Sequence, residues 1–395
     1  MTGICSPIAG VWRVAGVFAL ATGLTACGGD EVLSSLTVPT FAWGVPQGFP
    51  VPRVPQDNPM SEAKVELGRH LFYDTRLSEN ETQSCASCHQ QASAFTDGKP
   101  VGIGSTGQPH PRNSMSLANV GYQPVLNWAN PATTLLEGQA RVPIFGEDPV
   151  ELGMSGREEL LLERLRSEPR YQALFPAAFP EAESDAVTIT NVTRALAAFE
   201  RTLISANSPY DRYARGDANA ISEEAKRGQD LFFSERLECF HCHLGTFFSS
   251  ASDWQGKASP EVDYMNTGLY NIGGTGAYPE NNRGLMDATQ KLQDMGRFKA
   301  PTLRNIELTA PYFHDGSAAT LDDVIDHYAA GGRTITSGPN AGVGSASPYK
   351  NSFVQGFELA PAERAALIAY LRSLTDQEFV TNPKFSDPWL SAGGE

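Results

Sequence analysis

Hydrophobic residues recur every three or four positions wherever the chain has a regular pattern, which is the spacing of one face of an α-helix. One stripe consists of Val192, Leu196, Phe199 and Leu203, and a second consists of Leu367, Leu371 and Leu374. The run from Glu158 to Arg166 is rich in residues that favour helices. No long strand-like alternation of apolar and polar residues occurs. The pattern therefore predicts an all-α fold.

A ten-residue segment occurs twice, and each copy continues into a Cys-x-x-Cys-His motif. The first copy runs from Gly68 to Leu77 and the second from Gly228 to Leu237. A Ser-Glu pair suited to a helix start precedes each copy, beginning at Ser61 and at Ser222. Such self-similarity indicates an internal duplication of a helix followed by a motif-bearing turn.

Long loops separate the predicted helices. Stretches rich in Gly, Pro and Asn cover residues 97–113, 265–284 and 331–348. Loops of this length in a compact domain usually line a site or wrap a bound group. Together with the repeat, they predict two related domains, residues 61–212 and residues 213–395.

The two Cys-x-x-Cys-His motifs have the spacing of haem c attachment sites, which need two thiols for the vinyl groups and a nitrogen ligand for the iron. Positions i, i+3 and i+4 lie on one helical face. The residues are Cys85, Cys88 and His89 in the first motif and Cys239, Cys242 and His243 in the second. Zinc sites keep their cysteine pairs closer in sequence, and a redox dithiol needs no histidine. We predict two covalently bound haem c groups, wrapped by the long loops of two cytochrome c-like domains.

Composition narrows the classes of protein further. The 395 residues are 41% hydrophobic and 19% charged, which suits two globular domains and excludes a disordered chain. Lys and Arg number 30 against 45 Asp and Glu, so the formal charge is −15. This charge opposes binding to nucleic acid or to anionic lipid surfaces, and we predict no nucleic-acid partner.

The N-terminal stretch has the pattern of an export signal. Residues Val14 to Ala26 form an apolar run that is too short to span a membrane. The sequence Leu24-Thr25-Ala26-Cys27 resembles the lipobox of bacterial lipoproteins, in which cleavage frees the cysteine for lipid attachment. An ordinary secretory signal is the alternative, although Leu24 fits its cleavage site poorly.

We therefore predict a lipoprotein signal peptide at residues 1–26, lipidation of Cys27, and a tether over residues 27–60 that is rich in Pro, Gly and Val. The location would be the periplasm, with the lipid as the sole membrane contact. Gly28 rather than Asp follows the cysteine, and by resemblance to lipoprotein sorting this favours the outer membrane.

Several segments resemble the bacterial di-haem cytochrome c peroxidase superfamily, which includes MauG. They run from Asn119 to Trp128, from Gln139 to Pro143, from Pro149 to Gly153 and from Ala300 to Gly316. With the tandem haem motifs, the likeness covers residues 60 to 375 or so. The lipobox, the segment 57–61 and the tail from Ser347 to Phe353 are most similar to the MbnH-type branch, whose members modify a partner protein.

The resemblance implies that the first haem reacts with peroxide. His89 would be its proximal ligand, and Pro143 and Glu151 would flank its open face, near Gln139. A carboxylate beside bound peroxide can move a proton between the two oxygens, whereas a proline cannot coordinate iron. Trp128 matches the tryptophan that relays electrons between the haems in this family.

The resemblance implies a different environment for the second haem. Tyr328 lies fourteen residues after His314, where peroxidase members place an axial methionine and MauG-like members a tyrosine. A phenolate favours the higher oxidation states of iron. From the spacing alone, a buried tyrosine that is hydrogen-bonded to a neighbour is the favoured interpretation, and it is the resemblance that implies a ligand. A calcium site between the haems is also implied. Its matching residues are Asn113, Thr309 and Pro311. His110 stays open as a further ligand of the first haem.

These features together suggest a peroxide-dependent, peroxidase-like oxidoreductase that forms a bis-Fe(IV) state and oxidises a residue on a partner protein. Resemblance to the MbnH type suggests tryptophan converted to kynurenine in a copper-binding partner. One alternative is a peroxidase that reduces H₂O₂ with electrons from a small cytochrome, and another is a non-catalytic di-haem electron carrier. Leu237 stands where MauG has a surface tryptophan, so the sequence leaves the exit route open.

Overall fold

The computed structural model describes residues 41–260 and 262–390. The described α-helices, in chain order, are α1 Glu62–Phe72, α2 Cys85–Cys88, α3 Leu136–Gln139, α4 Arg141–Phe145, α5 Glu158–Ser167, α6 Pro169–Ala178, α7 Ile189–Arg201, α8 Pro209–Ala214, α9 Glu223–Phe232, α10 Met286–Thr289, α11 Leu321–Ala329, α12 Pro361–Arg372 and α13 Gln377–Thr381. The three helical patterns of the sequence correspond to α5, α7 and α12. None of the described helices is long and apolar enough to cross a membrane.

Two small β-ribbons qualify the all-α prediction. Strand β1, Tyr264–Met265, pairs antiparallel with β2, Phe298–Lys299. Strand β3, Thr334–Ile335, pairs antiparallel with β4, Gly342–Val343. Each strand has two residues, which is too short to produce a readable alternation in the sequence. The fold is therefore mostly helical with two short ribbons inserted in the C-terminal half.

Helices α1 and α7 pack closely and form the centre of the N-terminal core. The side chain of Ser61 caps α1 by accepting a hydrogen bond from the backbone N–H of Lys64 at 3.2 Å. Gly68 allows the close approach, because a Cβ at this position would lie 1.9 Å from the carbonyl oxygen of Ala195. Around this contact, Phe72 and Phe199 are fully buried.

Helices α9 and α12 repeat this arrangement in the C-terminal half. Ser222 caps α9 by accepting from the backbone N–H of Ala225 at 3.1 Å. A Cβ on Gly228 would lie 1.9 Å from the carbonyl oxygen of Ala366. Both helix pairs therefore meet through a glycine against the backbone of the partner helix, at matching positions of the repeated segment.

Buried polar contacts join the segment after α7 to the C-terminal half. The Arg304 guanidinium donates to both oxygens of Asp211, at 2.8 and 2.9 Å. A carboxylate oxygen of Asp376 accepts from Ser205 Oγ and from the backbone N–H groups of Ala206 and Asn207, at 3.1, 3.0 and 2.9 Å. Residues from Phe41 onward form one compact unit. The domain boundary at 212/213 stays a prediction.

The described part of the predicted tether packs on the folded body. Tyr122 donates its hydroxyl to the carbonyl oxygen of Pro50 at 2.8 Å, and Arg53 forms an ion pair with Asp253 at 2.8 Å. Asn58 is buried and donates to Glu137 at 2.7 Å. Residues 50–58 are therefore held against the folded body. Residues 27–40 of the predicted tether, the predicted signal peptide and Cys27 lie outside the described residues.

Candidate functional site

The first Cys-x-x-Cys-His motif forms α2 and presents its histidine in a fixed orientation. The backbone N–H of His89 donates to the carbonyl oxygen of Cys85 at 3.0 Å. Its Nδ1 lies 2.9 Å from the carbonyl oxygen of Phe95, whose backbone is left-handed with φ 61°. A ring that donates from Nδ1 leaves Nε2 free to ligate a metal. Both cysteines have free thiols.

The second motif has the same construction on a short 3₁₀ turn, Cys239–His241. His243 Nδ1 lies 3.1 Å from the carbonyl oxygen of Phe248, which is also left-handed with φ 49°. Burial lowers the pKa of His89 and of His243, which favours the neutral imidazole that iron ligation requires. Cys239 and Cys242 carry free thiols.

A large, mainly apolar cavity opens beside the second motif. Its walls include Cys239, Cys242, His243, Leu303, Ile325 and Leu371. Two thiols and a neutral imidazole facing an apolar space are the groups that a covalently attached haem needs. The C-terminal site therefore fits haem c. Leu237 also lines this cavity and is buried, so no aromatic ring stands at that position.

Tyr328 lines the same cavity from helix α11. A capping box starts this helix: Thr320 accepts from the backbone N–H of Asp323 at 3.1 Å, and Asp323 accepts from the backbone N–H of Thr320 at 2.8 Å. The phenol forms no hydrogen bond with any described residue. Burial, and then the nearby thiols Cys242 and Cys239, raise its pKa. The ring is therefore not the hydrogen-bonded core tyrosine that spacing alone would suggest.

Pro143 and Glu151 lie on adjacent segments tied by backbone hydrogen bonds. The N–H of Leu152 donates to the carbonyl oxygen of Pro143 at 2.8 Å, and the N–H of Met154 donates to that of Ile144 at 2.9 Å. A third segment also packs here, since a Cβ on Gly104 would lie 2.0 Å from the carbonyl oxygen of Val150. The loop that carries the acid is thus held by helix α4 and by the Gly104 segment.

Glu151 has an unusual environment for a carboxyl group. Burial raises its pKa to about 7. The pKa of the Cys88 thiol is raised mainly by burial, and the charge of Glu151 raises it further. Glu151 therefore lies close enough to the first motif to act on it electrostatically. Gln139 ends α3, two residues before α4 begins, and is partly buried. The structure thus places Pro143 beside the Glu151 loop and Glu151 within range of the first motif, and Gln139 precedes the helix that carries Pro143.

Trp128 lies on the wall of the C-terminal cavity and is held by its own hydrogen bond. Its Nε1 donates to the carbonyl oxygen of Asn113 at 2.9 Å, and its ring centroid is 6.4 Å from that of His314. The Asn113 loop follows the first motif in sequence and reaches the same cavity. Trp128 is therefore placed between segments that belong to the two halves.

The three residues assigned to calcium by resemblance also line this cavity. They are Asn113, Thr309 and Pro311. The Asn113 amide donates to the carbonyl oxygen of Lys99 at 2.7 Å, and Thr309 donates its hydroxyl to that of Ile306 at 3.2 Å. The structure brings the three together, and calcium binding stays a prediction. His110 is bonded within its own turn, where Nδ1 accepts from the backbone N–H of Arg112 at 3.1 Å.

Lys299 is a cavity residue that the sequence reasoning missed. It lies on β2 directly before the Ala300-Pro-Thr segment, is 1% exposed, and lines the cavity with Gln123 and Trp128. A single lysine after a phenylalanine gives no local signal of burial. Its neighbours come from a distant part of the chain, so only the folded structure reveals them.

Comparison with known proteins agrees with this geometry. A family model for di-haem cytochrome c peroxidase matches residues 62–219. The methylamine utilization protein MauG of Methylorubrum extorquens is 33% identical over 329 residues, covering 83% of this chain and 82% of that protein. The cytochrome c551 peroxidase of Pseudomonas aeruginosa is 32% identical over 337 residues, covering 85% of this chain and 84% of that protein.

A crystal structure described as a MauG-like protein associated with microbial copper homeostasis is 48% identical, with a TM-score of 0.86, and the match covers 88% of this chain and 99% of that one. Two haem-binding motifs on a shared helical frame define an oxidoreductase of the peroxidase type with two haems. The chain belongs to the di-haem cytochrome c peroxidase family, which includes MauG. Membership in an enzyme family favours catalysis over the non-catalytic electron carrier.

Proposed function

We propose that this protein uses peroxide to oxidise a residue of a partner protein, rather than to consume peroxide with electrons from a small cytochrome. The observation that carries the proposal is Tyr328, a half-buried phenol without a hydrogen-bond partner among the described residues, in the cavity of His243. No methionine follows Met295, so the position fourteen residues after His314 carries the Tyr328 phenol and not the thioether that the peroxidase members place there.

The two haems, when bound, would supply the chemistry of accepting two oxidising equivalents from peroxide. In the C-terminal site, the side chains of His243 and Tyr328 would be the ligands of the haem iron. A phenolate oxygen stabilises oxidised iron, whereas a methionine thioether raises the reduction potential. The Tyr328 site is therefore suited to hold oxidising equivalents and poorly suited to take electrons from a donor cytochrome.

At the N-terminal site, Glu151 would accept a proton from peroxide and return it to the leaving oxygen. Its pKa near 7 allows both steps at neutral pH, because neither form of the carboxyl group is strongly favoured. Pro143 offers no ligand atom and keeps its face open. Gln139 would orient polar groups beside the acid, and Trp128 provides an oxidisable ring between the two halves.

The proposed substrate is a tryptophan of a copper-binding partner. Repeated oxidation by peroxide would convert its indole to N-formylkynurenine, and hydrolysis would then release formate and leave kynurenine. Support comes from the 48% identity to a MauG-like protein whose structure is described as associated with copper homeostasis. A protein substrate suits buried sites, because electrons can cross the protein surface while the substrate residue stays outside. The proposal also includes covalent haem attachment through both cysteine pairs, a calcium ion at the Asn113 site, and origin of the two halves by duplication.

We propose a periplasmic location with a lipid anchor at Cys27, on the sequence pattern alone. Metabolic labelling with a fatty-acid analogue tests this proposal. Wild-type protein should take up label and partition with membranes, and C27S should do neither. Labelling of C27S to the same extent would contradict the assignment.

The functional experiment combines holoprotein, H₂O₂ and a small exported copper-binding protein encoded beside this chain's gene. Peptide mass spectrometry should show conversion of a tryptophan to kynurenine in that partner. The Glu151→Gln protein is the control and should leave the partner unmodified. Rapid peroxide-dependent oxidation of a reduced small cytochrome, with an unmodified partner, would favour the peroxidase alternative.

A further inference from the structure

Lys299 is a buried cation for which the described chain provides no anion. Its side chain is 1% exposed. The ammonium contacts Gln123 Oε1 and donates to the carbonyl oxygen of Val125 at 3.0 Å. An ammonium group has three donors, and these two neutral acceptors use two of them. A buried charge without a counter-charge is unfavourable because it has lost its hydration, so lysines are rarely buried unless paired.

Arg304 is a second basic residue that is almost completely buried, and its environment differs from that of Lys299. Arg304 is 2% exposed and pairs with both oxygens of Asp211, at 2.8 and 2.9 Å. By contrast, no ion pair among residues 41–260 and 262–390 includes Lys299. Burial is the one cause that moves its pKa, which falls to about 7. The described chain therefore offers Lys299 neutral acceptors and no counter-charge.

The position of Lys299 shows where that anion would come from. The residue lines the same cavity as Cys239 and Cys242, which would hold a haem. A haem carries two propionate carboxylates, which are the anions such a cavity would receive. We propose that Lys299 is the buried counter-charge of a propionate of the C-terminal haem, with Gln123 as its neutral neighbour. The proposal requires only that this haem is bound, and it does not rest on the identity of the protein substrate.

This pairing would also connect the haem to Trp128. The backbone N–H of Lys299 donates to the carbonyl oxygen of Trp128 at 2.8 Å. The Trp128 ring is in turn held by the carbonyl oxygen of Asn113. Lys299 is therefore a positioning residue, which holds a propionate on one side and the Trp128 backbone on the other.

A positive charge beside a propionate offsets the negative charge at the haem and makes reduction easier. Removing it should favour ferric iron. We expect Lys299→Met to raise the ferric-to-ferrous ratio of the C-terminal haem about tenfold at a fixed applied potential, which is about 59 mV for one electron. Lys299→Arg keeps the charge and should remain close to the wild type.

The experiment compares holoprotein of Lys299→Met, Lys299→Arg and Lys384→Met, which removes an exposed lysine near the C-terminus as a control. Spectroelectrochemical titration measures the midpoint potentials, resonance Raman records the propionate bending bands, and the pyridine haemochrome assay counts haems. The proposal expects a lower midpoint potential and shifted propionate bands in Lys299→Met alone.

Each outcome bears on the proposal. Loss of one haem in Lys299→Met, with both haems kept in Lys299→Arg, would also support it, because the charge would then be needed to retain the group. Two haems with unchanged potentials and propionate bands in Lys299→Met would overturn it. Loss of haem in both variants would overturn it as well, because shape rather than charge would then be what the position requires.

Discussion

The two haem-binding units are built on the same frame but differ in what faces the motif. In each, a glycine on the helix before the motif contacts a backbone carbonyl, Ala195 against Gly68 and Ala366 against Gly228. In each, the motif histidine is oriented by the carbonyl of a left-handed phenylalanine. The N-terminal unit then presents a carboxyl group, whereas the C-terminal unit presents a phenol.

Under the proposed function, a common frame supports two chemistries. The frame determines where the cysteines and the histidine lie, and the residues opposite would decide whether the site handles protons or holds oxidising equivalents. Glu151 and Tyr328 both come from segments outside the repeated sequence. The functions of the two halves can therefore diverge while the helix pairs stay alike.

The largest effect is expected from Tyr328→Phe. Loss of the phenol oxygen removes the proposed sixth ligand, so the C-terminal haem should change from a six-coordinate low-spin to a five-coordinate spectrum, and partner oxidation should be abolished. Electron paramagnetic resonance of the resting ferric protein measures the change. The peroxide reaction of the N-terminal haem serves as the internal control. An unchanged low-spin signal would remove Tyr328 from the ligand set.

Glu151→Gln should change the peroxide reaction at the N-terminal site. We expect the reaction with peroxide to slow by about 10²–10⁴-fold, which is the usual contribution of a positioned general acid–base group. Stopped-flow spectroscopy measures the rate, and the resting spectrum of the C-terminal haem should stay as in the wild type. Glu147→Gln removes an exposed acid from the same loop as a matched control. Equal rates in the two variants would contradict the role of Glu151.

The pH dependence of the peroxide reaction should follow Glu151. Burial raises the pKa of this acid to about 7, and the proton-accepting form is the carboxylate. The rate should therefore rise with pH up to about 7 and level off above it, falling by about tenfold for each unit further below. In Glu151→Gln this inflection should vanish. An inflection kept in that variant would assign it to another group.

The smallest difference between the two halves is expected for the helix pairs that they share, α1 with α7 and α9 with α12. Alanine at Gly68 or at Gly228 would force backbone to move, at about 1–3 kcal/mol in the free energy of unfolding for each substitution. Urea unfolding followed by circular dichroism measures both, with Gly138→Ala as the control because nothing lies within 4 Å of its Cβ position. A cost at one glycine without a similar cost at the other would show that the two helix pairs are not equivalent.

Local sequence signals predicted the parts of the site that depend on neighbouring residues. The serine caps of α1 and α9 and the two motifs are all local, and they place both histidines. The roles of Pro143, Glu151 and the Asn113 group came from family resemblance, because the segments that bring them together are distant in sequence.

The remaining features depend on contacts that no local pattern encodes. Lys299 is buried because Gln123 and Val125 come to it from the other half of the chain. The segment before α1 reads as a tether because its composition is rich in Pro and Gly, yet Arg53 pairs with Asp253 far along the chain. The two β-ribbons are too short to produce a periodic signal.

Asp376 has a consequence for how the protein unfolds. Its carboxylate holds three consecutive residues of the segment after α7, and its own N–H donates to Asn305 at 2.8 Å. This segment carries the chain from one half to the other, so neither half can open without exposing these buried bonds. Heat should therefore melt the two halves in one cooperative transition, and Asp376→Ala should separate it into two.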